Sequence, residues 1–423
     1  MSESTKQKEV AIGFCGDLSF SGHYTNKFNN DLFANEIKAF FSENDANVIN
    51  FESPITPCRV TEKDYLAHRS DPEALEFIKK NINDPILSFA NNHMMDYGDI
   101  GVIDTIDYTE SLSIPTIGIG INLETARQGI IVGETIKVGI FSFQYKNKDI
   151  ASRYHGGPLH ESSIDAIEKT VKELRKECDY VVAVYHGGDE FITTPLPYTR
   201  KFLKKVLGFG IDVVVAHHPH VVQGYEFVGK KMIFYSLGNF IFDTDYQRIQ
   251  EKTDQGALLR LLFRKDNISF EMVPTLIDRS TMKIELGSNS IFFRDINDTS
   301  YFREWCSACV HMETIKYRKK KLRSEVDAKK KDREVENDKK LGELFLLNLN
   351  LYREEQEYFE KQKPKKKSNE SRNVGMIIIK KAARGAKKFL KTILLDHGSI
   401  NKKVTQLCGA LIAKVVFRVK VER

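Results

Sequence analysis

From Val10 to about Asp278 the sequence predicts an α/β layered domain, and three observations predict it. Short apolar runs of strand length alternate with amphipathic stretches of helix length. The runs end in polar, metal-binding residue types rather than in ordinary turn residues. Past residue 230, three apolar runs follow one another with no helix between them, which predicts a sheet edge completed by antiparallel strands.

The elements follow in order. VAIGFCGD (10–17) reads as a buried strand. NDLFANEIKAFFSEN (30–44) reads as a helix with Leu32, Phe33, Ile37, Phe40 and Phe41 on one side. VINFES is a second strand. PEALEFIKKN is a helix with Pro72 just inside its start and Asp71 as N-cap. PILSFANNH is a third strand, and Gly118-Ile119-Gly120 a strand leading into a turn. That glycine pair lacks the third glycine of a dinucleotide loop. A helix over Glu161–Glu177, the strand YVVAVYHGG, a helix over Pro197–Leu207 and the strand DVVVAHHPH come next. IFYSLGNFIFD, ALLRLLFRK and ISFEMVPTLID close the domain, which is drawn as 8–284.

Beyond residue 284 the composition changes. Residues 285–362 read as a charged helical extension, whose last helix carries Leu341, Leu344, Phe345, Leu351, Tyr352 and Phe359 on one side. Residues 363–373 read as a linker. Residues 374–423 form a basic tail with amphipathic spacing: Ile378, Ala382, Ala386, Phe389 and Ile393 near one helical face, Lys380, Arg384, Lys387 and Lys391 on another. Such a tail suits an anionic membrane surface or packs on the protein's own core. Little aromatic interleaving accompanies it, so nucleic acid is not the expected partner.

The totals limit the remaining classes. The net charge is +6, and the six cysteines form no regular framework, so a reducing compartment is the default. Cys306 and Cys309, with His311 nearby, lack the second pair that a zinc site needs and read as ordinary helix positions. The N-terminal MSESTKQKE is polar, and no run approaches the roughly 18 apolar residues of a spanning helix. A cytoplasmic protein is therefore expected, with its tail able to place it peripherally at the inner membrane face.

The chemistry lies in the strand ends. They deliver Asp17; Asn50 and Glu52; Asn92, His93 and Asp96; His186 and Glu190; and His217, His218 and His220. Ligands bind outside the carboxyl ends of strands in α/β sheets. Carboxylates, amide oxygens and imidazoles suit hard or borderline divalent ions, and two such ions can clamp a phosphoryl group for in-line attack. Singly, each piece has an ordinary explanation. Asp17 could cap a helix, Glu52 could be a turn residue before Pro54, Asn91-Asn92 a left-handed turn and His93 a satisfied histidine. Three imidazoles in four residues at a strand end have little packing purpose, and the joint pattern points to a metal centre. SLGNF around Ser236 lacks the context of a nucleophilic serine.

At these residues the sequence resembles the CapA family of poly-γ-glutamate capsule proteins, itself similar to calcineurin-like metallophosphoesterases. The matching stretches are GFCGDLSFSG, NFESPIT, FANNHMMDYG, GIGINLETA, VYHGGDEF, VVAHHPHVVQGYE, FYSLGNFIFD and the closing GALLRLLFRKDNISFEMVPTLID. The resemblance implies a metallophosphoesterase-like layered β-sandwich flanked by helices, here with a C-terminal helical extension. It implies two divalent ions (manganese, iron or zinc) held by Asp17, Glu52 as bridge, Asn92, His186, His218 and His220. It makes His93 a non-ligand acid near the leaving group. Asn50, Asp96, Glu190 and Asn239, in the same segments, are candidate substrate contacts. Three positions depart from the wider pattern: Ser19 stands where a histidine is usual, Glu52 where an aspartate is, and Gly187 where the family often has tryptophan.

The implied activity is metal-dependent hydrolysis of the phosphoesterase type in capsule, polyglutamate or surface-polysaccharide synthesis. Its substrate would be phosphorylated or related to those polymers, and its partners polymer-synthesis proteins. Two alternatives stand beside it: a non-hydrolytic accessory subunit of a polymer-synthesis complex, and γ-glutamyl amide hydrolysis or transfer.

Overall fold

The computed structural model describes residues 9–28, 31–61, 67–145 and 150–288, with isolated positions between 295 and 324. All belong to one compact unit, Met1–Lys329. Seven strands form one sheet, in the order Lys283–Leu286, Asn267–Asp278, Gln255–Arg264, Val10–Phe14, Ala46–Asn50, Pro85–Ser88, Thr116–Ile117. Six form the other: Tyr225–Val228, Lys231–Phe234, Val213–His217, Tyr180–His186, Val138–Gln144, Ile130–Val132. The middle strands of each run parallel. Antiparallel strands finish three of the four edges, and the parallel strand Thr116–Ile117 the fourth. Of the three helix-free apolar runs, the last two form the expected antiparallel edge, whereas IFYSLGNFIFD supplies the end of Lys231–Phe234, parallel to Val213–His217, and Asn239–Asp243, parallel to Asp17–Gly22.

The two sheets face each other across an apolar core. Ile12, Phe14, Val48 and Ile86 pack there against Val138, Ile140, Val182, Val184, Val213 and Val215. Alternate residues of the same strands face outwards, because successive side chains on a strand point to opposite faces. Val181, Ala183 and Val214 thus meet Ile167, Val171, Leu203 and Val206 of the helices Ile164–Leu174 and Pro197–Leu207. On the other side Ile49 and Leu87 meet Ile37, Phe41, Leu75 and Ile78 of the helices Asn35–Ser42 and Ala74–Asn81. Strands covered on both faces need continuous apolar runs, which is why YVVAV and VVVA do not alternate with polar residues. Each fully buried Val or Leu contributes about 1.5–3 kcal/mol. The result is the α/β layered domain that the sequence predicts, arranged as the β-sandwich flanked by helices that the resemblance implies.

Several boundaries differ from the expectation. The first helix begins at Asn35, not near residue 30; Leu32 and Phe33 are buried in extended chain, with Phe33 bridging to Ile284. The second begins at Ala74 with Glu73 at its N-cap and no side-chain cap. The Asp71 carboxylate is taken by Arg69, 2.7 Å away, so it does not cap the helix. The helix Gly98–Ser111 and the strands Asp17–Gly22 and Val138–Gln144 have no counterpart among the elements expected from sequence. Strand Lys283–Leu286 crosses the boundary drawn at 284, and Tyr301 Oη donates to the Pro195 carbonyl at 2.9 Å. The linker at 363–373, the tail at 374–423, Cys306 and Cys309 lie outside the described residues, as does most of 285–362. Among the described residues, no helix is long and apolar enough to cross a membrane.

Candidate metal centre

The site begins where the core ends, one step along each strand. The inner-facing series Val182, Val184 continues to His186, and Val213, Val215 continues to His217. Ala46, Val48 continues to Asn50. His186 and His217 are register partners on adjacent parallel strands, so both imidazoles leave the same edge of the sandwich. Asp17 opens the short strand Asp17–Gly22, which pairs in parallel with Asn239–Asp243. Gly16 lets this strand approach: a Cβ there would fall 2.4 Å from the Gly238 carbonyl oxygen. Asp17 N–H donates to that same oxygen at 2.8 Å.

Two carboxylates and five imidazoles meet in this layer, all nearly or fully buried. Asp17 Oδ1 accepts from Asn50 Nδ2 at 2.8 Å and lies 3.2 Å from His217 Nδ1. Asp17 Oδ2 lies 3.2 Å from His220 Nδ1 and accepts from the His218 N–H at 3.3 Å. Glu52 Oε1 lies 3.4 Å from His186 Nε2, 3.7 Å from His220 Nε2 and 3.8 Å from His93 Nε2. His186 Nε2 is also 2.7 Å from Asn92 Oδ1 and 3.2 Å from His218 Nδ1.

The backbone is bent to bring the last two imidazoles in. His218 has φ 99° and His220 φ 57°, left-handed values that non-glycine residues adopt at a cost of order 1–3 kcal/mol. Phe191, also left-handed at φ 64°, donates its N–H to the Pro219 carbonyl at 2.7 Å. Its ring stacks on His220 with centroids 5.9 Å apart, and Phe242 lies on the same imidazole at 4.6 Å.

The electrostatics are those of a centre rich in negative charge. Burial pushes the Asp17 carboxyl up, but His217 and His220 outweigh burial and hold it well below the usual carboxylate range. Burial pushes Glu52 well above that range; His220 opposes the shift, and the charges of Asp17, Glu190 and Asp96 add to it. Burial would lower His220, yet Glu52 and Asp17 raise it to about 9. Without a further cation the protein favours a proton at this point of the site.

The donor set fits divalent metal. Both oxygens of Glu52 are buried and accept no hydrogen bond among the described residues, a costly state for a carboxylate unless a cation meets it. Candidate ligand atoms of Glu52, His186 and His218 lie within 4.8 Å of one another, and so do those of Asp17, Glu52 and His220. Atoms bound to one ion at about 2.0–2.2 Å stand roughly 3.4 Å apart in tetrahedral geometry, close to the separations seen here. The hydrogen bonds behind the ligands agree: His220 Nδ1 donates to Asn239 Oδ1 at 2.9 Å, leaving Nε2 towards Glu52.

The structure brings Asp17, Glu52, Asn92, His93, His186, His218 and His220 to one place. Asn50 and Asn239 lie against them, but they orient Asp17 and His220 with their polar atoms instead of facing outwards. Asp96 accepts from His93 Nδ1 at 2.8 Å and from the His68 N–H at 2.7 Å, so it too orients a site residue. Glu190 accepts from Tyr246 Oη at 3.1 Å on the rim. Asp17 opens a strand and caps no helix, and neither Asn91 nor Asn92 is left-handed.

The departures from the wider pattern have local reasons. Ser19 is buried and shares a 2.8 Å hydrogen bond with Ser21. At Gly187 a Cβ would come within 2.4 Å of Tyr185 Oη and 2.8 Å of Tyr145 Cβ, so two tyrosines already fill that side. The resemblance gives His217 no ligand role, yet its Nδ1 lies 3.2 Å from Asp17, as the third inner-facing position after Val213 and Val215. His68, whose ring centroid lies 4.0 Å from that of His93, had no signal in its surroundings.

The model of the family described as bacterial capsule synthesis protein PGA_cap matches residues 11–244. The chain is 28% identical over 281 residues to the PGA biosynthesis protein CapA of Bacillus subtilis (strain 168), covering 64% of this chain and 73% of that protein. It is 26% identical over 316 residues to the capsule biosynthesis protein CapA of Bacillus anthracis, covering 71% and 76%. A Mycobacterium tuberculosis protein described as a probable polyglutamine synthesis accessory protein is 24% identical over 267 residues, covering 58% and 69%. Among solved structures, a hypothetical protein from Thermus thermophilus superposes with a TM-score of 0.41 and 10% identity, over 66% of this chain and all of that one. A 5'-nucleotidase from Candida albicans gives 0.36 and 13%, over 62% and 50%. At such scores the description of the fold rests on the strand order itself.

Proposed function

The chain belongs to the bacterial capsule synthesis protein PGA_cap family, and on that premise we propose that its histidine–carboxylate centre is the reaction site of a metal-dependent hydrolase. The reaction is of the phosphoesterase type and serves capsule, polyglutamate or surface-polysaccharide synthesis. The observation that carries this reading is Glu52, a buried carboxylate that meets no hydrogen-bond donor among the described residues and is common to both groups of candidate ligand atoms.

Asp17, Glu52 and His220 would hold one divalent ion, and Glu52, Asn92, His186 and His218 the other. Manganese, iron or zinc there would supply Lewis acidity and an acidified water. The remaining chemistry belongs to the protein. Asp17 is kept ionised by His217 and His220. His93 turns Nε2 towards Glu52, while its Nδ1 donates to Asp96. Asp96 thereby fixes the ring with Nε2 facing the site, where it would give a proton to a leaving oxygen, an effect worth roughly 10²–10⁴-fold in rate. Phe191 and Phe242 cover His220 and limit water at that side.

Polymer-synthesis proteins are the natural partners, since the relatives are described by capsule and polyglutamate synthesis. The description of the mycobacterial relative as an accessory protein favours a second reading, a non-hydrolytic subunit of such a complex. The lysines and arginines of 374–423, against only Asp396 and Glu422, support attachment to an anionic membrane surface.

One experiment separates the readings. Protein purified without chelators is analysed for metal, then assayed on phosphoesters and γ-glutamyl peptides with added manganese, iron or zinc. Bound metal with phosphoester hydrolysis is expected. Cleavage of γ-glutamyl peptides alone moves the reading to amide hydrolysis. Protein that keeps no metal and cleaves nothing is an accessory subunit.

A further inference from the structure

We infer that Gln144 is a specificity-determining residue of this site, whose carboxamide hydrogen-bonds a neutral hydroxyl- or amide-bearing part of the substrate beside His186. The inference rests on the hydrolase reading and adds the chemistry of the group recognised.

Gln144 ends the strand Val138–Gln144 and is the register partner of His186, which is in turn the partner of His217. Gln144, His186 and His217 therefore form one row across three parallel strands. All three face the interior of the sandwich, since Val138 and Ile140 precede Gln144 in the core with the same parity. Gln144 is fully buried, as Asp17 and Glu52 are. Yet neither Oε1 nor Nε2 has a hydrogen-bond partner among the described residues. The main chain is held on both sides: Gln144 N–H donates to the Leu159 carbonyl and its own carbonyl accepts from Glu161 N–H, each at 2.9 Å. The backbone is fixed in place, and among the described residues the side chain's hydrogen-bonding capacity is unspent.

A carboxamide left in that state destabilises the fold. Nothing in the packing requires it, because methionine has similar length and flexibility and no such need. Ser142, one inner-facing step deeper on the strand, and Ser88, the register partner of Asn50, are likewise buried with hydroxyls that have no partner among the described residues. Neutral, unspent polar groups thus stand beside His186 on Val138–Gln144 and, through Ser88, beside Asn50 on the facing sheet. Asp17, Glu52 and Asp96 already load the centre with carboxylates. A neutral amide can select a substrate without adding to that charge, and it matches a group that both donates and accepts. A sugar or glycerol hydroxyl and a peptide amide share that property.

The test uses Gln144→Met in the full chain. In metal-free protein without ligand, the urea midpoint of the variant should equal or exceed that of the wild type, because an unsatisfied group has been removed. A lower midpoint means the amide is satisfied in the resting protein, and the inference falls. Calorimetry then compares inorganic phosphate, glycerol 3-phosphate and γ-glutamylglutamate on manganese-loaded protein. One of the two organic probes should bind about tenfold more weakly to the variant, with phosphate unchanged. The probe that weakens tells hydroxyl from amide. Equal binding of every probe, or equal weakening of all three, overturns the inference alone. Wild-type protein that binds none of them overturns the hydrolase reading, and this inference with it.

Discussion

Glu52→Gln tests the proposed shared ligand most directly. The substitution keeps shape and removes one charge from a side chain common to both candidate groups, whereas Asp17→Asn touches only one of them. A ligand at 100 times its dissociation constant stabilises the folded state by about 2.7 kcal/mol, so two independent ions give about 5 kcal/mol. For a domain of this size each kcal/mol raises Tm by roughly 2–4 °C. Saturating manganese should therefore raise the wild-type Tm by about 10–20 °C over the chelated protein. Asp17→Asn should keep about half of that rise, and Glu52→Gln less than about 2 °C. The chelated proteins should order the other way. Glu52 is buried without a donor, so the glutamine variant should melt no lower than the wild type when both lack metal. Differential scanning calorimetry with and without manganese gives all six values. If Glu52→Gln retains as large a metal-induced rise as Asp17→Asn, Glu52 is not shared and the two-ion arrangement is wrong.

Three further outcomes are expected. His93→Ala should retain metal by elemental analysis and lose about 10²–10⁴-fold in turnover, while Asp96→Asn should lose less, since Asp96 only orients the ring; unchanged turnover in His93→Ala removes it from the reaction. Glu226 is buried, which raises its pKa, but bonds from Arg200, Lys204 and Tyr235 outweigh burial and hold it below the usual value. Its stabilising contribution is therefore present above the ordinary glutamate range and lost as pH falls through the depressed folded value. Glu226→Gln should cost on the order of 2 kcal/mol at pH 7, below the range for a fully buried pair because Lys204 is a third exposed; urea midpoints that still differ by as much at pH 3 contradict the assignment. The full chain should bind anionic vesicles at low salt and release as salt rises, each basic residue of 374–423 near the surface contributing about 1 kcal/mol, whereas a chain ending at Lys363 should not bind; equal partitioning of the two rules out a membrane role for the tail.

The layered fold was legible because buried parallel strands leave long apolar runs, and YVVAVYH and VVVAHHPH carry them undiluted. The site residues were legible because charge and imidazole at a strand end have no packing use. Other elements were hidden for physical reasons. Gly98–Ser111 carries Gly98, Gly101, Ile100 and Ile103 out of phase with a single apolar stripe, and Ile100 and Ile103 are half exposed, so helical periodicity is weak there. Asp17–Gly22 is a short strand made possible by Gly16 and a neighbour more than 200 residues away, Asn239–Asp243, which no local pattern signals. The orienting roles of Asn50, Asp96 and Asn239 depend on which side chain each faces, and that is set only by the register of distant strands.

The arrangement also explains why core and centre are inseparable in this fold. On three strands the residue that ends the core and the residue that begins the site are two positions apart: Val184 and His186, Val215 and His217, Val48 and Asn50. A strand shifted by one residue would turn its whole inner set outwards, burying Tyr185 or Ala216 where an imidazole belongs and exposing the valines of the sandwich. The packing that fixes register therefore also fixes ligand placement, and substitutions deep in the sandwich should disturb metal binding through register and tilt before they unfold the domain. The left-handed backbone at His218 and His220 lies just past the last register-fixed position, His217. The strand sets where the chain arrives, and the strained turn brings two more imidazoles back over Asp17 and Glu52. Strain of that kind persists only where the surroundings over-determine it. Here they do so through the Phe191 hydrogen bond to Pro219, the Phe191 and Phe242 rings against His220, and Asn239 holding its Nδ1.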